Sequence, residues 1–398
     1  MTAIVNTARQ QWQDGRGKIV AAIATGWFLS IGVRLTYPVL LPYFQTTYGL
    51  TLSTAGVLLT VLWLAYAVGQ LPGGLVADRI GEGTVMAVSM LVSAGTLTLV
   101  VVGGSTRLLF GATALFGLAL SLFGTVRLSA LAGVYPDQRG TAISLISAVG
   151  DIGNMVLPPV VGLIAAAVAW QVGLGAMIPF FVLAGIYIWV AVPRRTSASS
   201  KSTSLSLTGI KTVLSAVRRP PVFGILLVQL LGYSVYHAFT GFYPVYLIQS
   251  KGVSPTVASG LFALFFALGV IVKPLSGRAF DRIGARQTLL VLMSVSGGGL
   301  LLLPSVESVG ALIAVTAIVS FMAGRGPLSL SYMTVSLPDP ILNTGLGTLR
   351  TIYMTIGAGS PALFGLIAGA GYFDEAFVLL SAVSGLCLVF IWLLPPLE

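Results

Sequence analysis

Charge is scarce in this chain: Asp, Glu, Lys and Arg make up 8% of its 398 residues, where a soluble domain carries about 25%. With 56% hydrophobic residues and a mean hydropathy of +0.98, a water-soluble globule is excluded and the chain belongs in a bilayer. Cysteine occurs once, at Cys387, which excludes an internal disulfide and leaves a thiol expected only to pack. Histidine also occurs once, at His237. With no paired carboxylates in the apolar runs, neither a metal site nor a nucleophile with its base can be assembled, so no enzyme, metal or cofactor is expected.

Long apolar runs are what the chain has instead. A bilayer-spanning helix needs about 20 mostly apolar residues. Twelve such runs emerge, near 18–44, 53–77, 84–103, 108–134, 141–167, 173–192, 222–247, 255–277, 287–304, 309–335, 343–370 and 376–395. None alternates as a barrel strand would, and unpaired backbone cannot face lipid, so the expected fold is all-α with 12 transmembrane helices. The 48 glycines suit close helix packing. The first run is too long for a signal-peptide core, so no cleavage is expected.

Lys and Arg set the orientation. With both termini cytoplasmic, fourteen of them fall in inner connections and only Arg107 and Lys251 in outer ones, a positive-inside pattern. The formal net charge of +10 therefore reflects topology rather than nucleic-acid binding. Residues 194–219, containing TSASSKSTS, read as a cytoplasmic linker between halves 1–193 and 220–398. Within it, LTGIKTVLSAVRR could lie on the membrane surface as a basic amphipathic helix.

The halves repeat. GGLVADRIG recurs as SGRAFDRIG, Asp78 matching Asp281 at an offset of 203 residues that also relates Gly49 to Gly252, Pro158 to Pro361, Gly162 to Gly365 and Arg34 to His237. Six spans per half give both copies the same orientation, as parallel repeats require. On GGLVADRIGEG, its second copy and the twelve spans, the chain resembles the major facilitator superfamily. That resemblance implies two pseudosymmetric six-helix bundles, with helices 1, 4, 7 and 10 lining a central cavity and 2, 5, 8 and 11 flanking it. It also implies that Gly74, Asp78, Arg79, Gly81 and, in the second copy, Asp281, Arg282 and Gly284 act as gating residues. The plainer reading of the motif is a tight turn with a helix-capping aspartate. One departure is that Glu82 and Gly83 replace the basic pair that usually closes the first copy.

Apart from these turns, the spans hold Arg34, Arg127, Lys273, Arg325 and Arg350, with His237, against one acid, Asp151. A basic side chain at mid-bilayer costs about 3 kcal/mol even on the lenient insertion scale, so five facing lipid would cost about 12 kcal/mol or more. They must face water or partners. They fall on spans 1, 4, 7, 8, 10 and 11 and never on 3, 6, 9 or 12, in agreement with the helix roles that the resemblance implies. Tyr37, Tyr233, Tyr332 and Tyr353 sit near them at helical spacing and could donate hydroxyls to a solute.

Asp151 is expected to pair with Arg127, since a short YPDQRG turn joins their spans, which leaves four cations needing an anion. The expected function is secondary transport of a small organic, carboxylate-like anion by alternating access, bound by arginine forks. The cations and tyrosines named above are the candidate binding residues, and the alternative for each cation is a bond to backbone carbonyls at a helix end or kink. Asp151 and His237 are the candidates for carrying a proton, with facilitated diffusion or exchange as the alternatives. A monomer in a prokaryotic inner membrane is expected. The rival reading is a drug/proton antiporter, whose GP-x-x-GG core on helix 5 is only partly kept in LPPVVG at 157–162. A membrane receptor on a transporter scaffold is the reading from another class.

Overall fold

The computed structural model describes residues 16–136, 138–196, 219–337 and 342–395. The linker residues 197–218, and with them nearly all of the expected surface helix, lie outside the described residues. Twelve helical spans are long and apolar enough to cross a membrane, and no strand occurs among the described residues. Their outward faces are apolar: Val102, Val168 and Val190 are 70%, 71% and 79% exposed, surface that only lipid would tolerate in such quantity.

Eight spans contain one unbroken α-helix: Leu52–Ile80, Glu82–Val102, Thr106–Val134, Arg139–Ala167, Pro220–Gln249, Pro255–Ile283, Ala285–Leu302 and Phe373–Leu393. The other four are interrupted. Span 1 is Arg16–Arg34 then Thr36–Tyr48, and span 6 is Trp170–Gly175 then Met177–Ala191. Span 10 runs Val309–Val319, a 3₁₀ stretch Ser320–Gly324, then Arg325–Ser336, and span 11 is Leu342–Gly357 then Ser360–Gly369. The breaks share one feature. Each has a proline three residues downstream of Leu35, Ala176, Gly324 or Ala358, namely Pro38, Pro179, Pro327 and Pro361. A proline has no N–H for the carbonyl four residues back, and its ring crowds that carbonyl. Proline does not suffice, since helices run unbroken through Pro42, Pro72, Pro158, Pro159, Pro244 and Pro274.

The repeat is written into the turns and caps. Gly49 and Gly252 both have φ of 66°, and Gly81 and Gly284 have 92° and 85°. Helix starts match at the same offset. Ser105 and Ser308 accept from the N–H groups of Leu108 and Ala311 at 3.3 Å, and Thr51 and Ser254 cap Thr54 and Val257 at 3.2 and 3.3 Å. The interruptions are not repeated, because spans 7, 12, 4 and 5, the counterparts of 1, 6, 10 and 11, are continuous.

Two compact units form: Met1–Thr36 with Ala65–Ser202, and Tyr37–Leu64 with Thr203–Glu398. In the first, span 1 packs on span 5, and span 3 on spans 4 and 6. In the second, span 7 packs on spans 10, 11 and 12, and span 9 on span 12. The second half of span 1 and the first half of span 2 belong to this second unit, where span 2 meets span 11 backbone to backbone. A Cβ on Gly56 would collide with the Pro361 carbonyl, and one on Gly365 with the Leu52 carbonyl. Ser53 Oγ donates to the Gly365 carbonyl at 3.2 Å, and the Ala362 N–H, at the start of the helix after the span 11 break, donates to Thr60 Oγ1 at 3.0 Å.

Candidate functional site

In the first unit, four spans build a stack of rings and guanidinium groups. Arg34 closes the first half-helix of span 1, where a cation suits the carbonyl end of the helix dipole, and its Nε donates to the Ser30 carbonyl at 3.1 Å. Its guanidinium carbon lies 3.8 Å from the centre of the Tyr66 ring and 6.0 Å from Trp27. Arg127 of span 4 stacks on the same Trp27 at 3.6 Å. All four residues are buried. Glycines make room, since a Cβ on Gly124 would strike the Tyr66 hydroxyl and one on Gly150 the Trp27 indole nitrogen. Stacking occupies the face of a guanidinium, whereas carboxylate recognition uses its forked edge.

Asp151 is half-buried and follows Gly150 directly. One turn on, buried Asn154 lies on the face that Gly150 and Gly153 turn to span 1, and its Oδ1 has no hydrogen-bond partner among the described residues. Trp27, Tyr66 and Asn154 were missed by the sequence reading. Trp27, seven residues before Arg34 and thus on its face, is the one that helical spacing could have found.

In the second unit, one face of span 7 presents Gln229, Gly232, Tyr233, Tyr236 and His237. The His237 ring lies 4.1 Å from Tyr233, 4.2 Å from Trp63 of span 2 and 5.3 Å from Tyr236. Tyr233 meets Tyr353 of span 11 edge-on at 5.5 Å. Arg325, the first residue after the 3₁₀ stretch of span 10, donates from Nη1 to Gln229 Oε1 and lies flat on Gly232, where a Cβ would collide with its Nε. The structure thus brings His237, Tyr233, Tyr353 and Arg325 together. Trp63 and Gln229 complete that cluster and carry no sequence signal of it.

Other expected residues lie elsewhere. The break at Leu35 means that Tyr37 does not continue the helix of Arg34; it starts the next one and meets Phe44 edge-on at 5.8 Å. Tyr332 is buried with its hydroxyl donating to the Pro395 carbonyl at 2.7 Å. Arg350 is half-buried with its Nε 3.5 Å from Met354 Sδ, and half-buried Lys273 precedes Pro274 in span 8. Cys387 is fully buried, as expected.

The signature turn differs from the expected loop. Asp78 and Arg79 lie in the last turn of the span 2 helix, the connection is Gly81 alone, and span 3 begins at Glu82 without a side-chain cap. The expected helix-capping role of Asp78 is therefore corrected: the residue before the second helix is Gly81, whose φ of 92° is a conformation for glycine. In the second copy, Asp281 and Arg282 likewise end a helix and Gly284 makes the turn. Gly74 stands in open space.

The departure from the motif has a physical reason. Residues 193–196, just past span 6, lie across the turn: the Gly83 N–H donates to the Arg194 carbonyl at 3.1 Å, Glu82 Oε2 accepts from the Thr196 N–H at 3.2 Å, and Arg195 donates to the Arg79 carbonyl at 3.2 Å. A Cβ on Gly83 would collide with the Pro193 carbonyl and one on Gly81 with the Arg194 carbonyl, so a basic residue at 83 has no room. Gly83→Val should dislodge this clip. Trypsin cleavage at Arg194 and Arg195 in detergent-solubilised protein is expected to quicken about tenfold, the equivalent of one or two lost hydrogen bonds; unchanged cleavage would refute the clip.

The profile of the Major Facilitator Superfamily matches residues 22–303 and 238–398. The chain belongs to that superfamily. Among superfamily relatives, the "Probable sulfoacetate transporter SauU" of Cupriavidus necator is 24% identical over 407 residues, covering 93% of this chain and 91% of that one. The "Probable galactarate/D-glucarate transporter GudP" of Bacillus subtilis is 22% identical over 388 residues (85% and 82%), and the "Cis,cis-muconate transport protein" of Acinetobacter baylyi 23% over 357 (86% and 85%). The fold is similar to a bacterial homolog of the human lysosomal transporter Spinster, with a TM-score of 0.80 at 15% identity over 95% of this chain and 96% of that one. This superfamily member is a multi-pass membrane protein of a transporter family, not an enzyme.

Proposed function

We propose that the protein is a secondary transporter moving a small organic anion across the cytoplasmic membrane by alternating access. The observation that carries this reading is the burial of Arg34 and Arg127 against one tryptophan, Trp27, within a single unit. Two guanidinium groups gathered on one indole inside a membrane protein set up a positive field that favours an anionic solute. The names of three relatives, concerning sulfoacetate, galactarate or glucarate, and muconate, all specify anions. In the first unit Arg34 and Arg127 are the principal candidate solute contacts; in the second they are Arg325 and His237, with Tyr233 and Tyr353 beside them and Lys273 and Arg350 flanking.

The working unit is a monomer of two six-helix bundles, residues 1–193 and 220–398, with both termini and the linker 194–219 cytoplasmic. Asp78, Arg79 and Gly81, with Asp281, Arg282 and Gly284, act at the gate. Asp151 or His237 carries the coupled proton. A thermal-shift screen of purified protein against carboxylates, phosphates, sugars and cationic drugs tests the reading. A carboxylate at a hundredfold its Kd adds about 2.7 kcal/mol to the folded state. Stabilisation by ethidium alone would overturn it. Solute-driven proton uptake in proteoliposomes, lost in Asp151→Asn or His237→Gln, tests the coupling.

A further inference from the structure

We infer that the ring cluster of the second unit selects an anion with a flat, unsaturated carbon body, an aromatic or conjugated carboxylate, over a polyhydroxylated acid. This rests on the anion reading above and narrows it. From Gln229 to His237, one face of span 7 is about 12 Å long at 1.5 Å per residue. At its Gln229 end Arg325 lies against Gly232; at its other end His237 is flanked by Trp63, Tyr233 and Tyr236, and Tyr353 meets Tyr233. A cation at one end of a run of rings matches a solute with a carboxylate at one end of a π body.

The rings are tilted, not parallel: His237 stands at 58° to Trp63 and 52° to Tyr233, the face-to-edge geometry by which a further flat ring would pack against them. Gly357 keeps Tyr233 in place, because a Cβ there would collide with the tyrosine ring.

What the cluster offers a hydroxylated body is poor. Its amide, Gln229, already accepts from Arg325. The hydroxyls of Ser234 and Thr240, on the same span, donate to carbonyls of that helix. Each hydroxyl of a sugar acid would leave water to face mainly ring surface, and such loss is what discriminates between solutes most strongly.

The test is binding to the purified full-length protein, by calorimetry, of benzoate, glucarate and tetraphenylphosphonium. Benzoate is expected to bind at least about tenfold more tightly than glucarate, the equivalent of one to two ring contacts. Tyr233→Leu and Trp63→Leu should each weaken benzoate by about tenfold, and Tyr233→Phe, which keeps the ring, by no more than about twofold. Glucarate binding as tightly as benzoate overturns this inference and leaves the anion reading standing. Binding of tetraphenylphosphonium with neither anion, or of nothing, overturns both.

Discussion

Arg34→Ala is expected to cut solute uptake into proteoliposomes by two orders of magnitude or more while the protein stays folded in the membrane. Truncating one partner of a buried charge pair costs about 2 to 5 kcal/mol of binding, and each 1.4 kcal/mol is tenfold. The fold itself should lose much less. The Tyr66 stack is worth about 2 kcal/mol. Arg34→Lys separates charge from shape, since lysine keeps the positive charge but neither the plane that lies 3.8 Å from Tyr66 nor the fork. It should recover only a small part of the lost uptake. Wild-type uptake by Arg34→Ala would remove the first unit from the binding site.

The second large effect is expected at the seam of spans 2 and 11. Gly365→Val places a side chain against the Leu52 carbonyl and Gly56→Val one against the Pro361 carbonyl, where the backbones now touch. Overpacking of this kind costs about 1 to 3 kcal/mol, which shifts a two-state equilibrium by about 5- to 150-fold. If that seam closes and reopens in each cycle, either variant holds it open and slows uptake by about tenfold or more. A cysteine at Ser53, which now bonds to Gly365, should then label faster with a membrane-impermeant maleimide, and buried Cys387 should give no background. Wild-type uptake and labelling in both variants would exclude the seam from the cycle.

The twelve spans, the 203-residue repeat and the embedded cations were all legible in the sequence, because hydropathy and charge are local properties of a chain. Partners across helices were not. Trp63 reaches His237, and Tyr66 reaches Arg34, only because of how neighbouring spans are rotated, which no single span encodes. Tyr37 shows a second limit. Three-residue spacing puts it on the face of Arg34 only along an unbroken helix, and Pro38 ends that helix at the residue between them. The motif was legible as a pattern, but the reason for Glu82 and Gly83 lies more than a hundred residues downstream, at Pro193 to Thr196.

That distant contact bears on any attempt to produce the protein as two polypeptides. A break after Pro193 would strand Arg194, Arg195 and Thr196 on the wrong fragment and strip Gly83 and Glu82 of their partners. A first fragment ending beyond Thr196 keeps its own docking strand, so the natural place to divide the chain lies further along than its hydropathy profile would suggest.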